Sequence, residues 1–184
     1  MRIVAVTGGA SGIGRACCRV LASKGWKVVA LDIDEAGAVD AGREAGGVGM
    51  PLDVGDERAV EVMAGRIERE VGPVHALVNC AGILASPVAP EALPIEEWDR
   101  VVRVNQRGTY VTSLAFGLRM AARGEGAIVN MASIVALRSM PFHSYAPSKA
   151  AIVSMTMNLA AEWGPRGVRV NAVSPGFTRS PPFQ

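Results

Sequence analysis

A doubly wound α/β fold, with helices on both faces of one parallel sheet, is predicted for this chain by three observations. Six short apolar runs alternate with stretches of helical period along the 184 residues, the first run opens directly into a glycine-rich turn, and most runs close on a polar residue. Strands of a parallel sheet are buried on both faces and so read as continuous apolar runs. The polar residues that close them then share one edge, where ligands of such sheets bind.

The first strand is 3–6, Ile-Val-Ala-Val, followed at once by Thr7-Gly8-Gly9-Ala10-Ser11-Gly12-Ile13-Gly14. A helix follows from Ile13 to Lys24, with Ile13, Cys17, Val20 and Leu21 at helical spacing. Backbone N–H groups at such a start are unpaired and carry the positive end of the helix dipole, so they suit a phosphate. Glycines let a pyrophosphate approach without a Cβ in the way. The second strand, 28–31, ends in Asp32, eighteen residues past Gly14, where an acid hydrogen-bonds ribose hydroxyls. Strand, glycine turn, helix, strand and acid together predict dinucleotide binding. A carboxylate accepts from a free 2′-hydroxyl and repels a 2′-phosphate, so Asp32 favours NAD, with NADP the lesser expectation.

The alternation continues. A helix is expected over 35–44, then a break at Gly46-Gly47 and a third strand, 48–52, weakened by Pro51 and ending in Asp53. Residues 57–71 carry Val60, Met63, Ala64 and Ile67 on one helical face. The fourth strand, 75–78, ends in Asn79-Cys80-Ala81-Gly82, and 85–94, with three prolines, is a loop. One long helix is predicted from 96 to 123. The fifth strand, 127–131, delivers Ser133 just past its end. A last helix spans 145–163, and the sixth strand, 168–173, ends in Ser174-Pro175-Gly176. With no repeat, low-complexity segment or linker, residues 1–184 are expected to form a single domain.

Composition narrows the function classes. The content is 49% hydrophobic and 20% charged, and a net charge of +2 from 19 basic and 17 acidic residues masses neither sign in a block. Nucleic-acid and membrane-surface binding therefore gain no electrostatic support. No stretch approaches the roughly 18 apolar residues of a membrane helix, and a strand that starts after one arginine leaves no room for a signal peptide. Cys17, Cys18 and Cys80 are odd in number and lack metal spacing, so no metal is expected and a reducing cytoplasm fits.

Tyr145-Ala-Pro-Ser-Lys149 places a phenol and an ammonium four residues apart, on one face of a helix, with Ser133 twelve residues upstream. A free tyrosine, with a pKa of about 10, is a poor base at neutral pH, and a nearby cation would lower that value. Tyr-x-x-x-Lys alone is a weak signal and reads first as a core tyrosine beside a solvated lysine. Its place beside the glycine turn, Asp32 and the polar strand ends is what gives it weight.

From Thr7-Gly8-x-x-x-Gly12-Ile13-Gly14, through Asp53-Val54 and Asn79-Cys80-Ala81-Gly82, to Asn105, Ser133, Tyr145-x-x-x-Lys149 and Pro175-Gly176, the chain resembles the short-chain dehydrogenase/reductase family, which has a Rossmann fold. The resemblance implies an NAD-dependent oxidoreductase that passes hydride between nicotinamide and a secondary alcohol or ketone. Tyr145 would be its general acid or base. Lys149 would hold the nicotinamide ribose and depress the tyrosine pKa, Ser133 would hydrogen-bond the substrate oxygen, and Asn105 would steady a water chain to Lys149. Gly8, Ser11, Gly12, Ile13 and Gly14 would lie at the pyrophosphate, and Asp53 and Val54 at the adenine. Asn79, Ala81, Gly82, Pro175 and Gly176 would complete the cofactor site.

Structural readings stand beside these. Asn105 fits a polar position in a helix, Ser133 a turn after its strand, and Asp53 a helix N-cap. His143, close enough to Tyr145 to suggest a base, lies outside the motif and reads as surface or substrate-loop structure. Cys80 replaces the family's usual second asparagine, and Ser180 stands where a threonine commonly meets the nicotinamide amide. The family continues beyond the point reached at Gln184, through a substrate-covering segment and a seventh strand, so a chain truncated relative to the family, with its sixth strand at the sheet edge, is the expectation. A 3-oxoacyl-thioester reductase, or a cofactor-binding but inactive fragment or interaction module, remains the alternative. The apolar stretches 85–94 and 134–142 suggest a substrate with a hydrophobic portion. Family members commonly pair the helices corresponding to 96–123 and 145–163, which implies a homodimer or homotetramer.

Overall fold

The six apolar runs become six parallel strands in the computed structural model, which describes residues 1–178. They are β1 (Ile3–Thr7), β2 (Lys27–Asp32), β3 (Val48–Pro51), β4 (Val74–Asn79), β5 (Gly126–Met131) and β6 (Val168–Val173), ordered β3-β2-β1-β4-β5-β6. The chain winds outward from β1 to β3, crosses back to lay β4 against the other side of β1, and winds outward again to β6. This reversal opens a crevice at the carboxyl ends of β1 and β4. Register brings the ends to one rim, since Thr7 is level with Leu31 and Asn79, Asn79 with Asn130, and Met131 with Val173. Pro51 is tolerated because, among the described residues, β3 is the outermost strand on its side and pairs with β2 alone.

The helices α1 (Gly12–Ser23) and α2 (Glu35–Glu44) cover one face, where Val4, Val6, Val28, Ala30 and Val78 meet Cys18 and Ala41. On the other face α3 (Glu57–Glu70), α5 (Gly108–Arg123) and α6 (Tyr145–Trp163) bury Val60, Ile67, Phe116, Leu159 and Trp163 against Ala5, Val29, Leu31, Leu77 and Ile128. Acidic residues start two of them. Asp34 accepts from the Gly37 amide at 3.1 Å and Asp56 from the Ala59 amide at 3.0 Å, each satisfying an amide that the helix leaves open. The N-cap of α3 is thus Asp56, and the cap reading of Asp53 fails. No helix of the described residues is long and apolar enough to cross a membrane.

The predicted helix over 96–123 is not uniform. It consists of α4 (Ile95–Val101), a π-helical turn (Val102–Arg107) and α5. The turn widens the helix at the buried Asn105, whose carbonyl accepts from Thr109 Oγ1 at 2.7 Å. Hydropathy period does not register such an interruption, and π-turns recur at functional sites. The loop 85–94 contains one short 3₁₀ turn, Pro90–Ala92. Strand β6 is the outermost described strand on its side, and its residues alternate between buried and exposed, whereas the central β1 is buried throughout and no residue of β2, β4 or β5 is exposed.

Candidate functional site

A cavity of about 500 Å³ runs along the rim formed by the strand ends. Its centre is the glycine turn, where Gly8, Ser11, Gly12, Ile13 and Gly14 all line the wall. Gly8 has φ +66° and lies so close to the β4 end that a Cβ would come within 2.7 Å of the Ala81 nitrogen. Thr7 Oγ1 accepts from the same Ala81 amide at 3.2 Å, tying the two turns together. A Cβ on Gly14 would strike the Gly8 carbonyl oxygen. Ser11, the residue before α1, makes no side-chain cap bond, and the first turn carries no acid. The amides there are left for an anion, in a cradle that side chains would fill. This arrangement fits a diphosphate. We expect Gly14→Ala to force the two turns apart, costing about 1–3 kcal/mol in a urea denaturation and weakening nucleotide binding together with it.

Outward from the centre, Asp32 Oδ2 accepts from the Ala10 amide at 3.0 Å and Oδ1 from the Asp34 amide at 3.1 Å. The carboxylate is thereby fixed between β2 and the glycine turn, on the cavity wall. At the β3 end, Asp53 Oδ1 accepts from the Gly55 amide at 2.8 Å, and Arg103 Nη1 donates to Oδ2 at 3.2 Å. Val54, Ala81 and Gly82 line the cavity beside them.

At the other end, Ser133 follows β5 and is largely buried. Its Oγ accepts from the Val135 amide at 3.4 Å, so it starts a 3₁₀ turn (Ile134–Leu137) as well as facing the cavity. Pro175 and Gly176 close this end, and the Ile134 amide donates to the Pro175 carbonyl at 3.1 Å. Tyr145 opens α6 with Phe142 edge-on to its ring, the centroids 6.2 Å apart. One turn on, Lys149 Nζ lies 5.5 Å from the Tyr145 ring centroid and donates to the Met131 carbonyl at 2.8 Å.

The electrostatics of this end differ from the sequence expectation. Burial lowers Lys149 to about 8. Burial pushes the Tyr145 phenol up, with a hydrogen bond from Ser133 acting the other way. The expected lowering by Lys149 does not appear, because the ammonium is turned to a backbone carbonyl and desolvation outweighs it.

Two predicted site residues lie off the wall. The Asn79 side chain is turned inward, where Nδ2 donates to Ser113 Oγ at 3.1 Å and Asn130 Oδ1 at 2.9 Å, and Oδ1 accepts from Thr112 Oγ1 at 2.8 Å. Every hydrogen-bonding group of this buried amide is used in joining β4, β5 and α5, so it supports the rim from beneath. Asn105 likewise clamps Ile83, accepting from its amide at 2.8 Å and donating to its carbonyl at 2.9 Å, and donates to Ser148 Oγ at 3.2 Å. It fixes the loop after β4 and reaches α6. Ser180 lies outside the described residues.

Sequence reasoning missed Arg103, which lines the cavity. A signal existed in the spacing Arg103, Asn105, Arg107, since residues two apart in a helix diverge and so reach different loops. It missed the apolar wall residues Ile33 and Leu84 as well, whereas Ile134, Val135 and Phe142 come from the apolar stretch 134–142 that the sequence singled out.

The sequence pattern of the short chain dehydrogenases matches residues 2–184. The chain belongs to that family. Among short chain dehydrogenase relatives, D-threitol dehydrogenase of Mycolicibacterium smegmatis is 40% identical over 181 residues, covering 95% of this chain and 69% of the relative. A crystal structure described as ribose-5-phosphate isomerase from Brucella melitensis 16M superposes with a TM-score of 0.96 at 47% identity, covering 98% of this chain and 70% of that one. The crystal structure of an NAD⁺-bound xylitol dehydrogenase superposes with a TM-score of 0.91 at 29% identity, covering 96% and 70% respectively.

Proposed function

We propose that this chain is an NAD-dependent oxidoreductase acting on a secondary alcohol or its ketone, with Tyr145 as general acid and base. The observation that carries this reading is the single cavity running from Asp53 and Asp32, past the glycine turn, to Ser133, Tyr145 and Lys149. Relatives named for D-threitol and xylitol, both polyols, support a secondary alcohol as substrate.

Gly8, Gly12, Ile13 and Gly14 would hold the diphosphate, Asp32 the ribose hydroxyls of the adenosine half, and Lys149 those of the nicotinamide half. The nicotinamide, when bound, supplies the hydride acceptor or donor. Tyr145 takes the hydroxyl proton of the alcohol as the carbon gives up its hydride, and returns it in the reverse direction. Ser133 donates to the same oxygen and stabilises the charge that develops there. Asn79 and Asn105 hold the rim in shape beneath these groups. Tyr110 and Leu118 on α5 and Met157 on α6 are exposed, which supports a homo-oligomer built through these helices.

The test is a pair of fluorescence titrations with NADH and NADPH, followed by assay against polyols and their ketones. NADH is expected to bind at least about tenfold tighter, an advantage of about 1.4 kcal/mol, and Asp32→Ala to erase most of that margin. Tighter NADPH binding would sink the NAD assignment. Normal binding without turnover across the panel would sink the enzyme.

A further inference from the structure

The π-helical turn sends two arginines into the β3–α3 connection. Arg107 donates to the Gly55 carbonyl at 3.0 Å and to Glu57 Oε2 at 2.7 Å. Arg103 donates to Asp53 Oδ2 at 3.2 Å, and its guanidinium lies against Gly55 where any Cβ would collide with it. Arg107 is paired with groups away from the cavity. Arg103 lines it.

On the dinucleotide reading above, the order of the strands fixes which part of the ligand meets Arg103. The diphosphate belongs at the end of β1 and the adenosine ribose at Asp32 on β2, so the base falls next in line, at the end of β3. Ile33, Leu52, Val54 and Val104 supply apolar walls there, and Asp53 and Arg103 are its charged groups. A carboxylate has about four lone-pair sites. The Gly55 amide and Arg103 use two of those on Asp53, leaving acceptor capacity for an exocyclic amine. We propose that Arg103 is a positioning residue for purine recognition, holding the Asp53 carboxylate so that its free lone pairs read the 6-amino group of adenine.

The experiment compares wild type, Arg103→Met and Arg103→Lys by calorimetry with NAD⁺, nicotinamide hypoxanthine dinucleotide and nicotinamide mononucleotide. The hypoxanthine analogue carries a carbonyl in place of the amine, and the mononucleotide has no purine. Wild type is expected to prefer NAD⁺ over the analogue by about tenfold, the scale of one hydrogen bond to a charged acceptor. In Arg103→Met the preference falls to about threefold or less, and the KM for NAD⁺ rises with little change in kcat. Arg103→Lys, which keeps the charge and loses the planar fork, restores part of it. Mononucleotide affinity stays the same in all three.

If Arg103→Met keeps the full preference, or weakens the mononucleotide as much as NAD⁺, the residue is merely structural and the inference is overturned. Equal wild-type affinity for NAD⁺ and its analogue overturns purine reading by Asp53. Failure of wild type to bind NAD⁺ at all overturns the dinucleotide reading itself. Should Arg103→Met not fold, as judged by circular dichroism, the same criteria apply to Arg103→Lys.

Discussion

Tyr145→Phe is expected to lower turnover by about a thousandfold, within the range general acid–base groups contribute, while leaving nucleotide affinity within about twofold because only one hydroxyl is removed. The ring would keep its edge-on packing with Phe142 and its place beneath Lys149, so folding and the cavity wall persist. What is lost is the carrier of the substrate proton. The wild-type pH profile is a second readout. Burial raises the Tyr145 pKa, so the phenolate needed to oxidise an alcohol grows only toward alkaline pH, and the oxidation rate rises with it. The phenol needed to reduce a ketone is already present at neutrality, so reduction falls over the same alkaline window. Tyr145→Phe should flatten both limbs. Retention of more than about a tenth of the wild-type rate would mean that the proton leaves by another group, and steady-state kinetics in both directions decides it.

The fold was legible because parallel strands have no polar face to disguise them. Ile3 to Val6 and Val28 to Leu31 are buried throughout, and their apolar runs say so directly. The glycine turn was legible for the same kind of reason, since the close approach of Gly8 to Ala81 and of Gly14 to the Gly8 carbonyl leaves room for no side chain. What the sequence hid was orientation. Asn79 and Asp53 both close a strand, yet one amide is spent inside on Ser113, Asn130 and Thr112 while the other residue's carboxylate faces the cavity. No periodicity separates them, because the difference lies in partners that come from 33 to 51 residues away. The π-turn was hidden likewise, being set by the packing of Asn105 against Ile83 and Ser148 rather than by any break in composition. The sign of the Tyr145 shift was missed because spacing puts Lys149 beside the ring without saying that its ammonium is held by Met131 and largely shielded from water.

That shielding makes Lys149→Met a test of whether the lysine is retained for function at the expense of stability. Lys149 is 4% exposed, and burial lowers its pKa from 10.5 to about 8. A lysine whose folded pKa lies below its unfolded value carries the whole penalty at pH values below about 8, where both states hold the proton. Between about 8 and 10.5 the native state has released the proton and the unfolded chain still holds it, so stability rises with pH across that window. The penalty at neutral pH is roughly 3 kcal/mol, at 1.36 kcal/mol per unit. Methionine matches the stem and removes the charge, and the Met131 carbonyl loses its donor at a cost of about 1 kcal/mol. The net gain of about 2 kcal/mol corresponds to a rise in Tm of about 4–8 °C for a chain of this size. Turnover should fall at least about a hundredfold with it, since the proposed ribose anchor and the cation beside Tyr145 are both gone. The signature is the pH dependence of the difference, with Lys149→Met melting above wild type at pH 7, the gap closing as pH rises through the window from about 8 to 10.5, and the lost donor leaving the variant slightly lower at its alkaline end. A variant that melts lower than wild type at pH 7, or a gap that stays constant, would show that the ammonium is better satisfied by Met131 and its surroundings than its burial implies.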